Sequence, residues 1–322
     1  MAGITLFPWQ TAAWRCLEEY RRQNRLPPAL LVSGPSGLGK RQLVRQFAQV
    51  LLCENRSACG ACCACRLFAA QTHPDWVTVA PEPGKDLTVD KIRGLIDILA
   101  LKPHYGRERV VVIEASDRMN LAAANSFLKT LEEPAPGTLI ALLSESPARL
   151  PATVRSRCQH LKLAIPPLKV ASSWLQHQGF TEEMAELALA LNGWAPLKAR
   201  DWLLGDAPAR RRDFLKDWVK LLEGYRDPVM LAQGWQEESL EQVLAWLLAL
   251  TADLVHLSMG LGERLLNPDQ RSLLQDQAKR LNLTRAFKFW QRLLETREAL
   301  HTQLNQALLL ESLFLETARL KA

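Results

Sequence analysis

Apolar positions follow two regimes along the chain. From Ala29 to Ser144, short unbroken apolar runs alternate with segments of helical spacing. Ala29–Ser33 (ALLVS), Trp76–Ala80, Arg109–Glu114 (RVVVIE) and Thr138–Ser144 read as strands, since a continuous apolar run suits a strand covered on both faces. Between and around them, Arg41–Leu52, Val89–Ala100 and Asn120–Glu133 read as helices. The second of these puts Val89, Ile92, Ile96 and Leu99 on one face, and Pro134 stops the third. Alternation of this kind predicts an α/β domain, a parallel sheet with helices on both faces.

Beyond Pro166 and Pro167 the strand signal disappears. Residues 168–204 read as two or three short helices, and everything from about Ala207 is helical, with long stretches at Leu240–Leu257 and Thr284–Leu300. The expected layout is an α/β domain over 1–166, a small helical domain over 167–206 and an all-helical domain over 207–322. Trp235, Trp246 and Trp290 in the last of these read as core residues, with a subunit interface as the alternative. No internal repeat or low-complexity segment breaks the pattern.

Composition narrows the class. The chain has 322 residues, 48% hydrophobic and 23% charged, enough for two or three packed domains. The net charge of +6 is compatible with DNA nearby, but the charges are spread along the chain and form no basic tail. The opening MAGITLFPWQ lacks a basic start and a long apolar stretch, and the longest apolar run, Val243–Leu250, is short of the ~20 residues a bilayer span needs. A cytoplasmic protein with no membrane partner is expected.

Three patterns carry chemistry. The first is Gly34-Pro-Ser-Gly37-Leu-Gly39-Lys40, which follows a predicted strand and opens a predicted helix. It fits the Walker A phosphate loop, whose backbone N–H groups cradle phosphate while Lys40 reaches the β/γ oxygens. The next position, where a hydroxyl should hold Mg²⁺, is Arg41, which has no acceptor atom. The Walker B strand ends in Glu114-Ala115, where an active site places Asp and then Glu. Glu114 keeps a carboxylate, but Ala115 cannot polarise water. The expectation is therefore a phosphate loop kept as scaffold; weak nucleotide binding by Gly34, Gly37, Gly39 and Lys40 is the alternative. Hydrolysis by the isolated chain is not expected.

The second pattern is Cys53-x5-Cys59-x2-Cys62-x2-Cys65, in a loop rich in Gly and Ala. Two consecutive C-x2-C units suit a closed tetrahedral four-thiolate zinc site, a structural module at 53–65. Iron–sulfur binding is the weaker rival. Cys63 is a spare thiol that can replace Cys62 or Cys65, and the regular spacing favours the latter two. His73 and His104 show no ligand spacing and read as structural or surface residues. The third pattern is Ser156-Arg157-Cys158, which follows the strand Thr138–Ser144 and a short helical stretch.

Together with Asn125-Ser-Phe-Leu-Lys-Thr-Leu-Glu-Glu-Pro134, these motifs resemble the AAA+ clamp-loader subunits of bacterial DNA polymerase III. The resemblance covers residues ~25–165 by motif, and beyond that rests on layout. It implies an AAA+ P-loop domain, a helical lid and a C-terminal collar. In that family the gamma/tau subunit hydrolyses ATP; Arg41, Glu114-Ala115 and the absence of an arginine in Asn192–Pro196 place this chain with the non-hydrolysing branch. The implied role is a rigid arm in a ring with delta and gamma/tau subunits, which opens the sliding clamp and loads it on primed DNA. The resemblance also implies that Arg157 is a finger acting in trans on a neighbour's nucleotide. Two other functions are the alternatives: an active gamma-like ATPase, opposed by Arg41 and Ala115, and a stand-alone zinc-dependent DNA-binding protein, for which only Arg56 and Arg66 flank the cysteines.

Overall fold

The computed structural model describes residues 4–82, 84–105, 108–262, 265–299 and 305–321. The chain divides into two compact units, residues 1–171 and 172–322.

Unit 1 is built on one sheet of five strands: β1 (Ala29–Ser33), β2 (Trp76–Val79), β3 (Arg109–Ile113), β4 (Thr138–Ser144) and β5 (Gln159–Lys162). Their order is β2-β3-β4-β1-β5, and every pairing is parallel. Helices α1 (Thr11–Arg22), α2 (Lys40–Leu52), α3 (Cys63–Ala69), α4 (Val89–Ala100), α5 (Leu121–Glu132) and α6 (Ala152–Arg155) surround it. Alternate strand residues point to opposite faces. Leu30, Val32, Val110 and Val112 pack with Leu17, Phe47 and Phe68 of α1–α3. Ala29, Leu31, Val111 and Ile113 pack with Ile92, Leu95 and Phe127 of α4 and α5. Burial on both faces is the reason these strands are apolar throughout.

β5 is a strand that the apolar pattern did not reveal. It reads Gln-His-Leu-Lys with only Leu161 buried, because it lies at the sheet edge and is held by its ladder to β1. Because all strands run the same way, the loop after β1 and the residues after β3 meet at one end of the sheet. The residues that lead into β5 lie at the other end.

Unit 2 is helical throughout its described residues, and its boundary with unit 1 falls inside α7 (Leu168–Gln176). The remaining helices are α8 (Glu182–Leu191), α9 (Pro196–Leu204), α10 (Ala207–Leu222), α11 (Pro228–Gly234), α12 (Leu240–Ser258), α13 (Arg271–Ala278), α14 (Leu283–Ala299) and α15 (Gln306–Ala318). The expected helix end at Leu300 lies outside the described residues. Phe214, Trp218, Trp235, Trp246 and Phe314 centre the core, with Trp235 edge-on to Trp246 at 6.0 Å. Trp290 is not a core residue: it is 37% exposed. α14 turns Ala286, Phe289 and Leu293 inward, which leaves Trp290 on the other face with Phe287. α12 is long and apolar enough to cross a membrane by length and composition, but most of it is buried here, as expected of a helix apolar on all sides within a core.

Candidate functional site

The phosphate loop occupies the turn from β1 into α2. Gly34, Gly37 and Gly39 all have positive φ, and Gly39 is the N-cap of α2. A Cβ on Gly34 would stand 2.3 Å from the carbonyl oxygen of Leu163, just past β5, so only glycine permits that approach. The Lys40 ammonium donates to the carbonyls of Gly34 at 2.7 Å and Pro35 at 2.9 Å, folding back on its own loop. A part of the site that the motifs did not signal comes from the N-terminal segment. Gln10, fully buried, donates through Nε2 to the carbonyls of Leu38 and Gly39 at 3.0 and 2.9 Å, and Trp9 Nε1 donates to Leu38 at 3.0 Å. Phe7 stacks on Trp9, and a Cβ on Gly39 would meet both Gln10 and Phe7 below 3.0 Å. The loop is thus braced from the side by a segment preceding α1.

The two anomalous Walker positions meet. Arg41 Nε lies 2.9 Å from Glu114 Oε1. A guanidinium therefore faces the one carboxylate that a divalent cation would need, and the charges at the metal position neutralise each other. Ala115 stands in a left-handed conformation, φ 46°, at the start of a 3₁₀ turn, and supplies no side chain to activate water.

The four predicted cysteines come together. The Sγ atoms of Cys53, Cys59, Cys62 and Cys65 all lie within 4.8 Å of one another. Cys53 Sγ is 3.6 Å from that of Cys59 and 3.9 Å from that of Cys62. Tetrahedral thiolates at about 2.3 Å from zinc would be about 3.8 Å apart, so the donor set fits. Backbone N–H groups of Cys59, Cys62 and Cys65 donate to the sulfurs of Cys53, Cys59 and Cys62 at 3.5, 3.4 and 3.3 Å, and such donors favour the thiolate form. The surroundings divide the group. Burial works against the Cys53 thiolate, but the backbone donors of Cys59, Ser57 and Asn55 outweigh it and lower its pKa to about 6. Backbone donors of Cys62 and Ala61 also lower Cys59. Burial, reinforced by the neighbouring sulfurs, raises Cys65 to about 12. A cation at the centre would relieve that mutual repulsion. The segment is not all loop, as its composition had suggested: Cys62 caps α3, and Cys65 lies in that helix's first turn. Cys63 is exposed and stands outside the four-sulfur group.

Next to this module is a buried ion pair that the sequence gave no reason to expect. Asp75 and Arg109 are 0% and 4% exposed. Asp75 accepts the backbone N–H groups of His104 and Tyr105, while Arg109 donates to the carbonyls of Ile98 in the last turn of α4 and of Leu101 and Lys102 just beyond it. His73 is buried as well, and its Nδ1 accepts the N–H of Asp75.

Arg157 lies in the turn between α6 and β5. β5 pairs with β1 from Leu30↔Gln159 to Ser33↔Lys162, so Arg157 is at the end of the sheet opposite the phosphate loop. It cannot serve this chain's own loop. Its Nε donates to Glu132 Oε1 at 2.6 Å, its Nη2 donates to the same oxygen, and its Nη1 donates to the Thr153 carbonyl at 2.8 Å.

Comparison with known proteins decides the family. The family model described as DNA polymerase III, delta subunit, matches residues 9–167, and the model for the C-terminal part of that subunit matches residues 206–318. DNA polymerase III subunit delta' of Pseudomonas aeruginosa is 33% identical over 98% of this chain and 98% of its own length. The chain belongs to the DNA polymerase III delta-prime family. The delta-prime subunit of Escherichia coli is 31% identical, covering 96% of this chain and 94% of that protein. The delta-prime subunit of Haemophilus influenzae is 34% identical over 77% and 76%. The P-loop sheet of unit 1 and the helical unit 2 are thus the architecture of a delta-prime chain.

Proposed function

We propose that this chain acts in DNA replication as a non-hydrolysing AAA+ subunit of the bacterial clamp loader, working on a neighbouring subunit's nucleotide and not on its own. One contrast carries the reading. The metal position of its own phosphate loop is closed by the Arg41–Glu114 pair, yet an arginine is held ready at the far end of the sheet. Phosphoryl transfer spreads negative charge over the γ-phosphate oxygens, and a fixed guanidinium stabilises it. Arg157 belongs to the turn where such a finger faces an adjacent protomer.

The partners in this reading are the delta and gamma/tau subunits, with the sliding clamp and primed DNA reached through the complex. Cys53, Cys59, Cys62 and Cys65 hold one structural zinc, which ties the end of α2 to α3 and leaves no position open for chemistry. Residues 167–206 form the lid and 207–322 the collar domain; in support, the two family models stop at residue 167 and resume at residue 206. Purifying the chain with its host's delta, gamma/tau and clamp tests the reading. A stable complex that loads clamps only when this chain is included is expected, with no magnesium-dependent ATP turnover by the chain alone. Turnover by the isolated chain that Lys40→Ala abolishes would overturn it.

A further inference from the structure

Arg157 is a long side chain in a short turn, and nothing in a Ser-Arg-Cys motif fixes where its guanidinium points. The turn itself is rigid. Val154 and Cys158 are buried, the Cys158 thiol donates to the Val154 carbonyl at 3.3 Å, and the Arg157 N–H donates to the same carbonyl at 3.2 Å. The backbone is therefore well placed, but four side-chain torsions separate it from the charge. A free arginine would sample many rotamers, and ordering it at each encounter would cost entropy.

Glu132 removes that freedom. It is the last residue of α5, and α5 is anchored to the sheet through Ala123, Phe127 and Leu131. Both Nε and Nη2 of Arg157 donate to one oxygen of Glu132, and Nη1 donates to the Thr153 carbonyl. Of the five N–H bonds of a guanidinium, these contacts use three and leave one on each terminal nitrogen. The side chain is about one-third exposed, at 32%. Two N–H groups therefore remain for a further acceptor on a partly exposed guanidinium already held by Glu132 and Thr153, and an oxyanion brought by another protomer would be such an acceptor.

We propose that Glu132 is a positioning residue for Arg157: it holds the finger pointed outward before the neighbour's nucleotide arrives. The inference rests on the reading of Arg157 as a finger in trans. Glu132 touches no nucleotide and acts only through the arginine. The opposite arrangement, a latch that holds Arg157 back, makes the opposite prediction for the same variant.

The test uses the assembled clamp loader with substitutions in this chain alone: Glu132→Gln, Glu132→Asp, Arg157→Ala and Glu132→Gln with Arg157→Ala. Glu133→Gln, the same charge change one residue on, serves as control. Assembly is checked by size exclusion, and DNA-stimulated hydrolysis and clamp loading are measured across ATP concentrations. Loss of positioning is expected to lower the maximal loading rate of Glu132→Gln on the order of tenfold, with the KM for ATP unchanged. Glu132→Asp, which keeps the charge with a shorter reach, should fall between that variant and the native chain. The double variant should be no worse than Arg157→Ala alone, and Glu133→Gln should load normally. Should Glu132→Gln fail to assemble, Glu132→Asp alone and combined with Arg157→Ala carries the same comparison. A normal or raised rate with Glu132→Gln, or a loss that adds fully to that of Arg157→Ala, overturns the positioning role. A normal rate with Arg157→Ala instead overturns the finger reading beneath it.

Discussion

Replacing Cys59 and Cys62 together by serine should remove the zinc and loosen one corner of unit 1. The proposed zinc would bridge Cys53 at the end of α2 and Cys65 in the first turn of α3, closing a segment of thirteen residues. Cross-linking a loop of that length lowers the entropy of the unfolded chain by an amount worth about 3 kcal/mol. With a urea m-value of roughly 2 kcal/mol/M, the loss corresponds to a midpoint lowered by about 1.5 M. Metal analysis should fall from about one zinc per chain to none. Hydrogen exchange should quicken at the end of α2 and in α3, the two elements the site joins. Cys63→Ser, at the exposed thiol outside the group, should change neither zinc content nor midpoint. A doubly substituted chain that retains one zinc and the native midpoint would refute the ligand assignment and the stability argument together.

The metal-free chain should respond to pH through the same sulfurs. Cys53 titrates at about 6 in the folded chain, below the ordinary thiol value of about 8.5, so the unfolded state binds more protons between those values and stability should rise with pH across that interval. Cys65, raised to about 12, keeps its proton after the unfolded thiol has lost one, so its contribution should turn against folding above about pH 8.5. Urea midpoints of chelator-treated protein across this range check both slopes, and a midpoint that falls from pH 6 to 8 would contradict the first. Asp75→Ala should cost about 3–5 kcal/mol of stability, because it leaves the buried Arg109 without its counter-charge. A urea titration showing less than 1 kcal/mol would mean that water replaces the carboxylate there. Arg41→Ala should cost less than about 1 kcal/mol, since the Arg41 side chain is mostly exposed and exposed pairs contribute little.

Much of unit 1 was legible because its strands are buried on both faces, and such strands announce themselves as unbroken apolar runs. β1, β3 and β4 lie where those runs fall. β5 was not legible: an edge strand with one buried residue is specified by its neighbour's backbone, and local periodicity carries no trace of that. The cysteines were readable because ligand spacing is a local constraint, whereas the helix that begins at Cys63 is set by capping and packing. Arg41, Glu114 and Ala115 each stood out as departures from a motif. That Arg41 and Glu114 pair with each other depends on the first turn of α2 meeting the end of β3, which a linear reading cannot supply. Gln10, Trp9 and the Asp75–Arg109 pair went unread for the same reason, since their partners are 28 to 34 residues away. Trp290 shows the limit of reading aromatics as core: one position along α14 separates it from the buried Phe289.

The central claim is that this chain serves a neighbour's site and not its own. The most direct test compares two substitutions in this chain alone within the assembled clamp loader, Arg157→Ala and Lys40→Ala, with clamp loading on primed DNA as the readout. Removing a trans arginine lowers hydrolysis at the site it serves by ~10³–10⁵ in systems of this chemistry, so loading should collapse with Arg157→Ala. It should stay near the native rate with Lys40→Ala, because in the proposed role that loop turns over no nucleotide. Normal loading with Arg157→Ala, together with loss of loading on Lys40→Ala, would contradict the account.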